Sequence, residues 1–145
     1  MGQINKNNPK FQTAHTILCV SGRYILQLRD NKKTISAPGT WSLFGGKIQT
    51  GEKPEEAIKR EIYEELNIKP KMFRFLWSMD YYSDFEKEMV RTYLFVSDIS
   101  SVWHDHKLME GQGVGLFSFE QISNLDIPTV MRETIERFHS QAKET

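Results

Sequence analysis

One strongly patterned helix, set between runs of strand-forming residues, constrains the fold of this 145-residue chain more than any other feature. Pro54 suits the first helical turn, and Asn67 favours the end of the helix. Ile58, Ile62 and Leu66 recur at every fourth position and so form one apolar stripe. Because such a stripe has to be buried, the pattern predicts a helix packed on a sheet.

The runs around this helix are rich in β-branched and aromatic residues, which is typical of strands. Two of them flank Ser21-Gly22-Arg23 and predict a hairpin, and segment 30–40 predicts a loop. The predicted strands span residues 14–20, 24–29, 41–44, 72–82, 89–96 and 114–119, and a second helix is predicted at 128–141. We therefore expect a mixed α+β domain, with helices flanking a sheet, over residues 11–145. Residues 1–10 are polar and are expected to be poorly ordered.

The composition fits a single globular domain and argues against several functional classes. Hydrophobic residues make up 39% of the chain, which is enough for a normal core. Nineteen Lys and Arg balance nineteen Asp and Glu, so no net positive field favours a nucleic-acid partner, and none is expected. No apolar run approaches the roughly 20 residues of a membrane-spanning helix, and residues 1–10 lack an apolar signal region. A cytoplasmic protein without membrane contact is expected.

Three carboxylates share one edge of the predicted helix. Glu61, Glu64 and Glu65 are three and four positions apart, so they fall within about 100° of one another around the helix axis. Like charges at this spacing repel, and bound divalent cations such as Mg²⁺ would offset the repulsion. The ordinary alternative is a solvated helix face with ion pairs such as Arg60 to Glu64. Glycines just before the helix favour the first interpretation, because they let a loop fold closely around a ligand.

The residues from Gly46 to Ile68 resemble the Nudix box of the Nudix hydrolases, G-x5-E-x7-R-E-U-x-E-E-x-G-U, where U is aliphatic. Gly46, Glu52 and the run from Arg60 to Glu65 agree with it. Asn67 stands where the family has Gly, and Asn also tolerates a left-handed helix end. Phe44 stands where many members carry Pro. The order of the other predicted elements is similar to that of the family's α/β/α sandwich around a mixed sheet.

The resemblance implies metal-dependent hydrolysis of a nucleoside diphosphate linked to another moiety, with Mg²⁺, or Mn²⁺, as the cofactor. It implies that Glu61, Glu64 and Glu65 are catalytic metal ligands, with Glu61 also a candidate base for the attacking water. It further implies that the carbonyl of Gly46 completes the metal shell. In the family pattern Glu52 and Arg60 form an ion pair that supports the loop.

Glu110 lies outside the box, in the sequence Met109-Glu110-Gly111-Gln112-Gly113, and resembles the additional glutamate of MutT-like members. It is either a further catalytic metal ligand or an ordinary loop carboxylate. Subfamilies acting on ADP-ribose or dinucleoside polyphosphates carry a marker Pro or Tyr about sixteen residues after the box, where this chain reads Tyr82-Ser83-Asp84-Phe85-Glu86 with neither marker in place. The resemblance therefore favours a MutT-like nucleoside triphosphate pyrophosphohydrolase that releases NMP and pyrophosphate. Nucleotide sugars or other linked nucleoside diphosphates are the alternative substrates.

Substrate recognition needs cations for phosphate and a flat partner for a base. Lys47, which follows Gly46, is the first candidate for phosphate, and Arg29 and Arg23 are further ones. Tyr82 is a candidate for the base. Each of these side chains has an ordinary alternative, either surface solvation or, for the aromatic ring, the core.

Two other classes share the box or the fold. A nucleotide-sensing module without hydrolysis is expected to lose acidic positions that this chain keeps. An isopentenyl-diphosphate isomerase needs a catalytic cysteine, whereas Cys19 lies in an apolar run that favours a buried core thiol. The expected partner is a small-molecule nucleotide, and the protein is expected to be a monomer or a homodimer.

Overall fold

The computed structural model describes residues 9–143 and contains one mixed sheet with helices on both of its faces. Most of the segment predicted to be poorly ordered, residues 1–8, lies outside the described residues, as do 144–145. The strands are β1 (Phe11–Val20), β2 (Arg23–Leu28), β3 (Trp41–Ser42), β4 (Phe44–Lys47), β5 (Arg74–Ser83), β6 (Glu88–Asp98) and β7 (Gly113–Phe117). The helices are α1 (Pro54–Leu66), α2 (Phe119–Ile122) and α3 (Thr129–Lys143). The predicted α+β fold is confirmed.

Strand β1 is the centre of the sheet, whose order is β3-β2-β1-β6-β5, with β4 beside β1 and β7 beside β2. It runs parallel to β6 and antiparallel to β2 and β4. Both β2 and β4 lie along the same edge of β1, with β4 beside its first half and β2 beside its end. This arrangement places Gly45 opposite His15 and Gly46 opposite Ala14.

The two faces of β1 hold two separate cores, because successive side chains of a strand point to opposite sides. Ala14 and Leu18 pack with Ile58 and Ile62 of α1. Ile17, on the other face, belongs to the cluster that contains the buried residues of α3. Helices α1 and α3 therefore cover opposite faces of the sheet, which gives three layers.

The ends of α1 follow from local hydrogen bonds. At its start, the backbone N–H of Lys53 donates to Glu56 Oε1 at 2.9 Å. At its end, Asn67 adopts the left-handed conformation, with φ 57°, and its N–H donates to the carbonyl of Tyr63. Asn67 thus occupies the conformation for which the family pattern has Gly.

Three local expectations were wrong. The apolar segment 41–44 is two strands, and β4 continues through both glycines because they pair with β1. The strand predicted to reach Phe119 ends at Phe117, since the Ser118 hydroxyl accepts from the N–H of Gln121 and caps a short helix there. Cys19 is only partly buried, at the margin of the core that faces α3.

Candidate active site

The three carboxylates on the edge of α1 have three different environments. Glu65 is 3% exposed, beside the apolar stripe that packs on the sheet. The Glu61 side chain is 15% exposed and that of Glu64 is 48% exposed. The exposure of the three side chains therefore increases from Glu65, in the interior, through Glu61 to Glu64, at the solvent.

The carboxyl group of Glu65 is buried without full compensation. Its Oε2 is enclosed and has no hydrogen-bond partner among residues 9–143. Burial raises the pKa of Glu65 well above its usual value, and the carboxylates of Glu61 and Glu110 raise it further. A hydrogen bond from the backbone of Gly45 opposes these effects. A negative charge on Glu65 is thus costly unless a proton or a cation lies beside it.

Gly46 allows β4 to approach the acidic edge closely. A Cβ atom at this position would lie 2.5 Å from Glu61 Oε1, which is closer than nonbonded atoms come. The neighbouring Gly45 faces a similar restriction, because a Cβ there would lie 2.1 Å from the carbonyl oxygen of Ala14. The loop backbone and the Glu61 carboxylate therefore meet in a space that a side chain would fill.

Arg60 ties the loop to the helix through its whole guanidinium group. Its Nε and Nη2 donate to the two oxygens of Glu52 at 2.8 and 3.0 Å, and Nη2 also donates to the carbonyl of Lys47 at 3.0 Å. Its Nη1 donates to Glu61 at 2.9 Å and to Glu64 Oε2 at 3.2 Å. These bonds from Arg60, together with one from the backbone of Gln49, lower the pKa of Glu52. The ion pair that the sequence predicts is present.

The acidic edge fits a divalent cation by its donors, although the carboxylates do not converge on one point. Within residues 9–143, no group of three or more His, Cys, Asp or Glu side chains is gathered closely enough to hold a metal ion. The physical reason is Arg60, whose guanidinium lies between Glu61 and Glu64. Carboxylate oxygens beside a backbone carbonyl are the donors that hard divalent cations prefer, and Glu65 Oε2 has no hydrogen-bond partner in the described part of the chain. A cation held by all three carboxylates requires Glu64 to leave Arg60.

The loop before β7 brings Glu110 to this edge. The backbone N–H of Met109 donates to the backbone carbonyl of Glu65 at 2.9 Å. The next residue, Glu110, is exposed, and its charge raises the pKa of Glu65. A residue more than 40 positions away in sequence thus lies within electrostatic reach of α1.

A cavity of about 650 Å³ lies on the other side of β4, on the sheet face that α3 covers. Gly45, Gly46 and Lys47 line it, so one strand separates the cavity from the acidic edge. Arg29 and Tyr82 also line it, as the sequence predicts for substrate contacts. Lys47 Nζ lies 4.8 Å from the centre of the Phe11 ring, and the Arg29 Nε donates to the carbonyl of Ser36.

The structure does not bring Arg23 to the site. Arg23 pairs with Val20 at the end of β1, whereas Lys47 pairs with Thr13 near its beginning. Seven residues of extended strand separate the two positions by roughly 20 Å. Arg23 therefore does not line the cavity, and its proposed phosphate contact stays a prediction.

Sequence reasoning missed Thr13, His15 and the first turn of α3, which also line the cavity. Thr13 and His15 are two positions apart on β1 and share the face that holds Ile17. Polar residues at this spacing inside a buried strand were the available signal. The first turn of α3 gave none, because its position depends on the packing of the whole domain.

Comparison with known proteins agrees with this geometry. The family model for the NUDIX domain matches residues 10–138. The chain belongs to the Nudix family. Two relatives are each called nucleoside triphosphatase NudI: that of Enterobacter sp. (strain 638) is 30% identical, over 82% of this chain and 92% of its own length. That of Escherichia coli O81 (strain ED1a) is 31% identical, over 83% of this chain and 93% of its own.

Solved structures share the fold of this Nudix protein. The MutT protein from Methanosarcina mazei Go1 superimposes with a TM-score of 0.79 at 23% identity, covering 94% of this chain and 98% of its own. The NUDIX domain of Shewanella oneidensis NrtR, complexed with ADP ribose, gives 0.78 at 16% identity over 93% and 90%. At these identities the likeness concerns the fold alone.

As a Nudix hydrolase, the chain acts on phosphoanhydride bonds. Its family acts on small nucleotide substrates and generally uses divalent metal ions. Among residues 9–143, the structure has no helix both long and apolar enough to span a membrane.

Proposed function

We propose that the protein is a Mg²⁺-dependent pyrophosphohydrolase that converts nucleoside triphosphates to NMP and pyrophosphate. The observation that carries the proposal is the buried Glu65 carboxyl, which lies beside Glu61 on the acidic edge and whose Oε2 has no hydrogen-bond partner within residues 9–143. Strand β4, which contains Gly45 and Gly46, separates this edge from a cavity large enough for a nucleotide. Removal of the cation is expected to leave the protein folded and inactive.

The choice of cation follows from the donors and the substrate. Mg²⁺ binds through one or two carboxylates together with substrate phosphates and keeps several waters. Glu61 and Glu65, the more buried carboxylates of the edge, would be the cation's ligands. The exposed Glu64 would be a further ligand when a triphosphate and its cation bind. Mn²⁺ has the same preference for oxygen donors and is expected to substitute.

In the proposed reaction, a water oxygen forms a bond to the α-phosphorus. The bond between that phosphorus and the bridging oxygen breaks, and pyrophosphate leaves. When bound, a divalent cation would neutralise charge on the phosphates and make the attacking water more acidic. Glu61 lies against Gly46, at the point where the edge meets the cavity, and is the residue we assign to take the proton of the water. Lys47 and Arg29, at the cavity wall, hold the phosphates.

The remaining carboxylates and the arginine have supporting roles. Glu52 orients Arg60. Arg60, a residue of α1, donates a hydrogen bond to the carbonyl of Lys47 and so fixes the position of β4 relative to α1. We assign Glu110 to the cation as well, because its charge acts on Glu65. The assembly is expected to work as a cytoplasmic monomer or homodimer.

The substrate class is supported by the relatives, which are called nucleoside triphosphatases. Nucleotide sugars are the competing substrates, since the same acidic edge would serve any linked nucleoside diphosphate. The NrtR domain, whose structure holds ADP ribose, is an example of the fold with a nucleotide of that wider class.

The test is product release from a panel of nucleoside triphosphates, nucleotide sugars, ADP-ribose and dinucleoside polyphosphates with Mg²⁺. Chromatography of the nucleotide products reports turnover of every compound, because nucleotide sugars, ADP-ribose and dinucleoside polyphosphates release neither orthophosphate nor pyrophosphate. For the triphosphates, orthophosphate is also measured with and without added inorganic pyrophosphatase, which distinguishes pyrophosphate release from loss of a single phosphate. We expect triphosphates to be the best substrates and the signal to require the added pyrophosphatase. Faster turnover of nucleotide sugars would reassign the substrate. Tight nucleotide binding without turnover of any compound would indicate a sensing module.

A further inference from the structure

The wall of the cavity mixes polar and apolar residues, and it includes a short polar strip on its β1 side. Thr13 and His15 line the cavity from the central strand β1, two positions apart. They are 8% and 9% exposed, so both belong to the interior of the protein. In register, Thr13 lies opposite Lys47 and His15 opposite Gly45. The strip therefore lies one strand away from the groups proposed to hold the phosphates.

The Thr13 hydroxyl lacks a partner. Its Oγ1 is enclosed and makes no hydrogen bond with any residue in the range 9–143. An orphaned buried hydroxyl costs about 1–3 kcal/mol, which a core position would avoid by carrying Val, a residue of the same shape. Thr13 lines the cavity although its Oγ1 is enclosed, so the hydroxyl would reach a ligand by rotation about the Cα–Cβ bond. A ligand in the cavity would give this oxygen the partner that the protein does not supply.

His15 is fixed in orientation and electrically neutral. Its Nδ1 lies 3.1 Å from the Thr92 hydroxyl, and within the described residues Nε2 makes no hydrogen bond. Burial and the nearby charge of Arg29 lower the pKa of His15 to about 4. A neutral imidazole hydrogen-bonds to an uncharged heterocycle but gives little attraction to phosphate.

Aromatic rings complete a site for a flat ligand. Tyr81, Tyr82 and Phe85 line the same cavity from the end of β5 and the turn after it. Tyr82 and Phe85 remain 58% and 47% exposed, so their faces are accessible to a ligand. Stacking on such rings is worth about 1–3 kcal/mol per base and does not depend on which base is bound. Discrimination between bases must therefore come from hydrogen-bonding groups.

We propose that Thr13 and His15 read the edge of the substrate's nucleobase and determine which bases the enzyme accepts. Two residues apart on a strand, their Cα atoms are separated by about 6.6 Å, so both side chains can reach one planar heterocycle. The assignment rests on the proposed hydrolysis of nucleoside triphosphates and deepens it. Hydrogen bonds from uncharged side chains would select the base, whereas the phosphates would bind to Lys47, Arg29 and the divalent cation.

The experiment measures kcat and KM for ATP, GTP, CTP and UTP and for their deoxy forms. It compares the wild type with Thr13→Val, Thr13→Ser and His15→Leu. Thr16→Val is the matched control, because Thr16 lies on the same strand but on the other face, where its hydroxyl donates to the carbonyl of Ile17 at 3.0 Å. Thermal unfolding is recorded for every variant.

We expect Thr13→Val to lower kcat/KM for the preferred base about tenfold, through KM, with kcat within about twofold. Thr13→Ser keeps the hydroxyl and is expected to keep the preference, and Thr16→Val to leave it unchanged. Because Thr13→Val removes an orphaned polar group, its unfolding temperature is expected to be equal to or above that of the wild type. If His15→Leu does not fold, the base preferences of Thr13→Val and Thr13→Ser still test the proposal.

An unchanged ratio between the best and the worst base in both Thr13→Val and His15→Leu would overturn the proposal while leaving hydrolysis intact. If the wild type hydrolyses none of the triphosphates, the proposed function fails instead. In that case the same variants are compared by calorimetric titration with the same nucleotides. An equal loss of affinity for all bases would then also overturn the base-reading role.

Discussion

Glu65 is more buried than Glu61 and Glu64 because its position on the helix places its side chain against the sheet. Arg60 donates to Glu61 and Glu64, whereas Glu65 is buried against the sheet, where a backbone hydrogen bond from Gly45 stabilises its charge and a side-chain hydrogen bond with Glu61 favours its protonated form. Burial makes its charge costly, and the neighbouring carboxylates increase that cost. A cation would convert this unfavourable position into a binding site.

Glu65→Gln is expected to stabilise the metal-free protein while removing activity. The folded-state pKa of Glu65 lies above its unfolded value, so the group contributes stability below the unfolded pKa and loses that contribution as pH rises toward the folded pKa. Gln mimics the protonated acid at every pH. The gain in unfolding free energy should therefore be small near pH 4 and larger near pH 7.5.

Urea denaturation in EDTA at the two pH values measures this gain. Glu55→Gln is the control, because Glu55 lies on the exposed side of α1, 57% exposed, 3.6 Å from Lys59. A Glu65→Gln variant that is less stable than the wild type at pH 7.5 would show that the buried carboxylate is already compensated.

At the scale of elements, the C-terminal end of α1 depends on Asn67. Its left-handed conformation costs most side chains about 1–2 kcal/mol, and Asn and Gly less. Asn67→Ala is therefore expected to lower the unfolding free energy by about 1 kcal/mol, and Asn67→Gly to leave it equal or slightly higher. Chemical denaturation measures both. Equal stability of the Ala and Gly variants would mean that the helix end relaxes into another conformation.

The loop before β7 is the second element on which the site depends. Met109 anchors it to the backbone of Glu65, which leaves Glu110 beside the acidic edge. Glu110→Gln is expected to lower kcat more than about tenfold at saturating Mg²⁺, because a ligand charge is lost. Steady-state kinetics with Glu120→Gln, an exposed residue of α2, provides the control. Turnover within about threefold of the wild type would make Glu110 an ordinary loop carboxylate.

The elements that the sequence predicts well are those whose signals are local. The stripe on α1 and the β-branched runs identify the helix and most strands, since periodicity reports burial directly. The distance of Arg23 from Gly46 could not be predicted, because it depends on the register of β1 with two other strands. The continuation of β4 through two glycines was missed for the same reason. Local propensity favours a turn there, and pairing with β1 prevails.

At the scale of the whole molecule, the acidic edge and the cavity lie on opposite faces of the sheet. Helix α1 presents carboxylates along one face, and α3 closes a cavity on the other. Strand β4 belongs to both, since Gly46 contacts Glu61 and also lines the cavity. Under the proposed function, a substrate in the cavity would extend its phosphates past Gly46 to the acidic edge. The cavity itself could not be predicted from the sequence, because its lining comes from six separate segments.

The central claim is that hydrolysis needs a divalent cation at the buried end of the acidic edge. The most direct measurement is the rate of pyrophosphate release from one nucleoside triphosphate by the wild type, Glu65→Gln and Glu55→Gln, each in EDTA and in Mg²⁺. We predict turnover only with Mg²⁺, at equal rates in the wild type and Glu55→Gln, and at least about 100-fold slower in Glu65→Gln. Wild-type turnover in EDTA, or full turnover by Glu65→Gln, would contradict the claim.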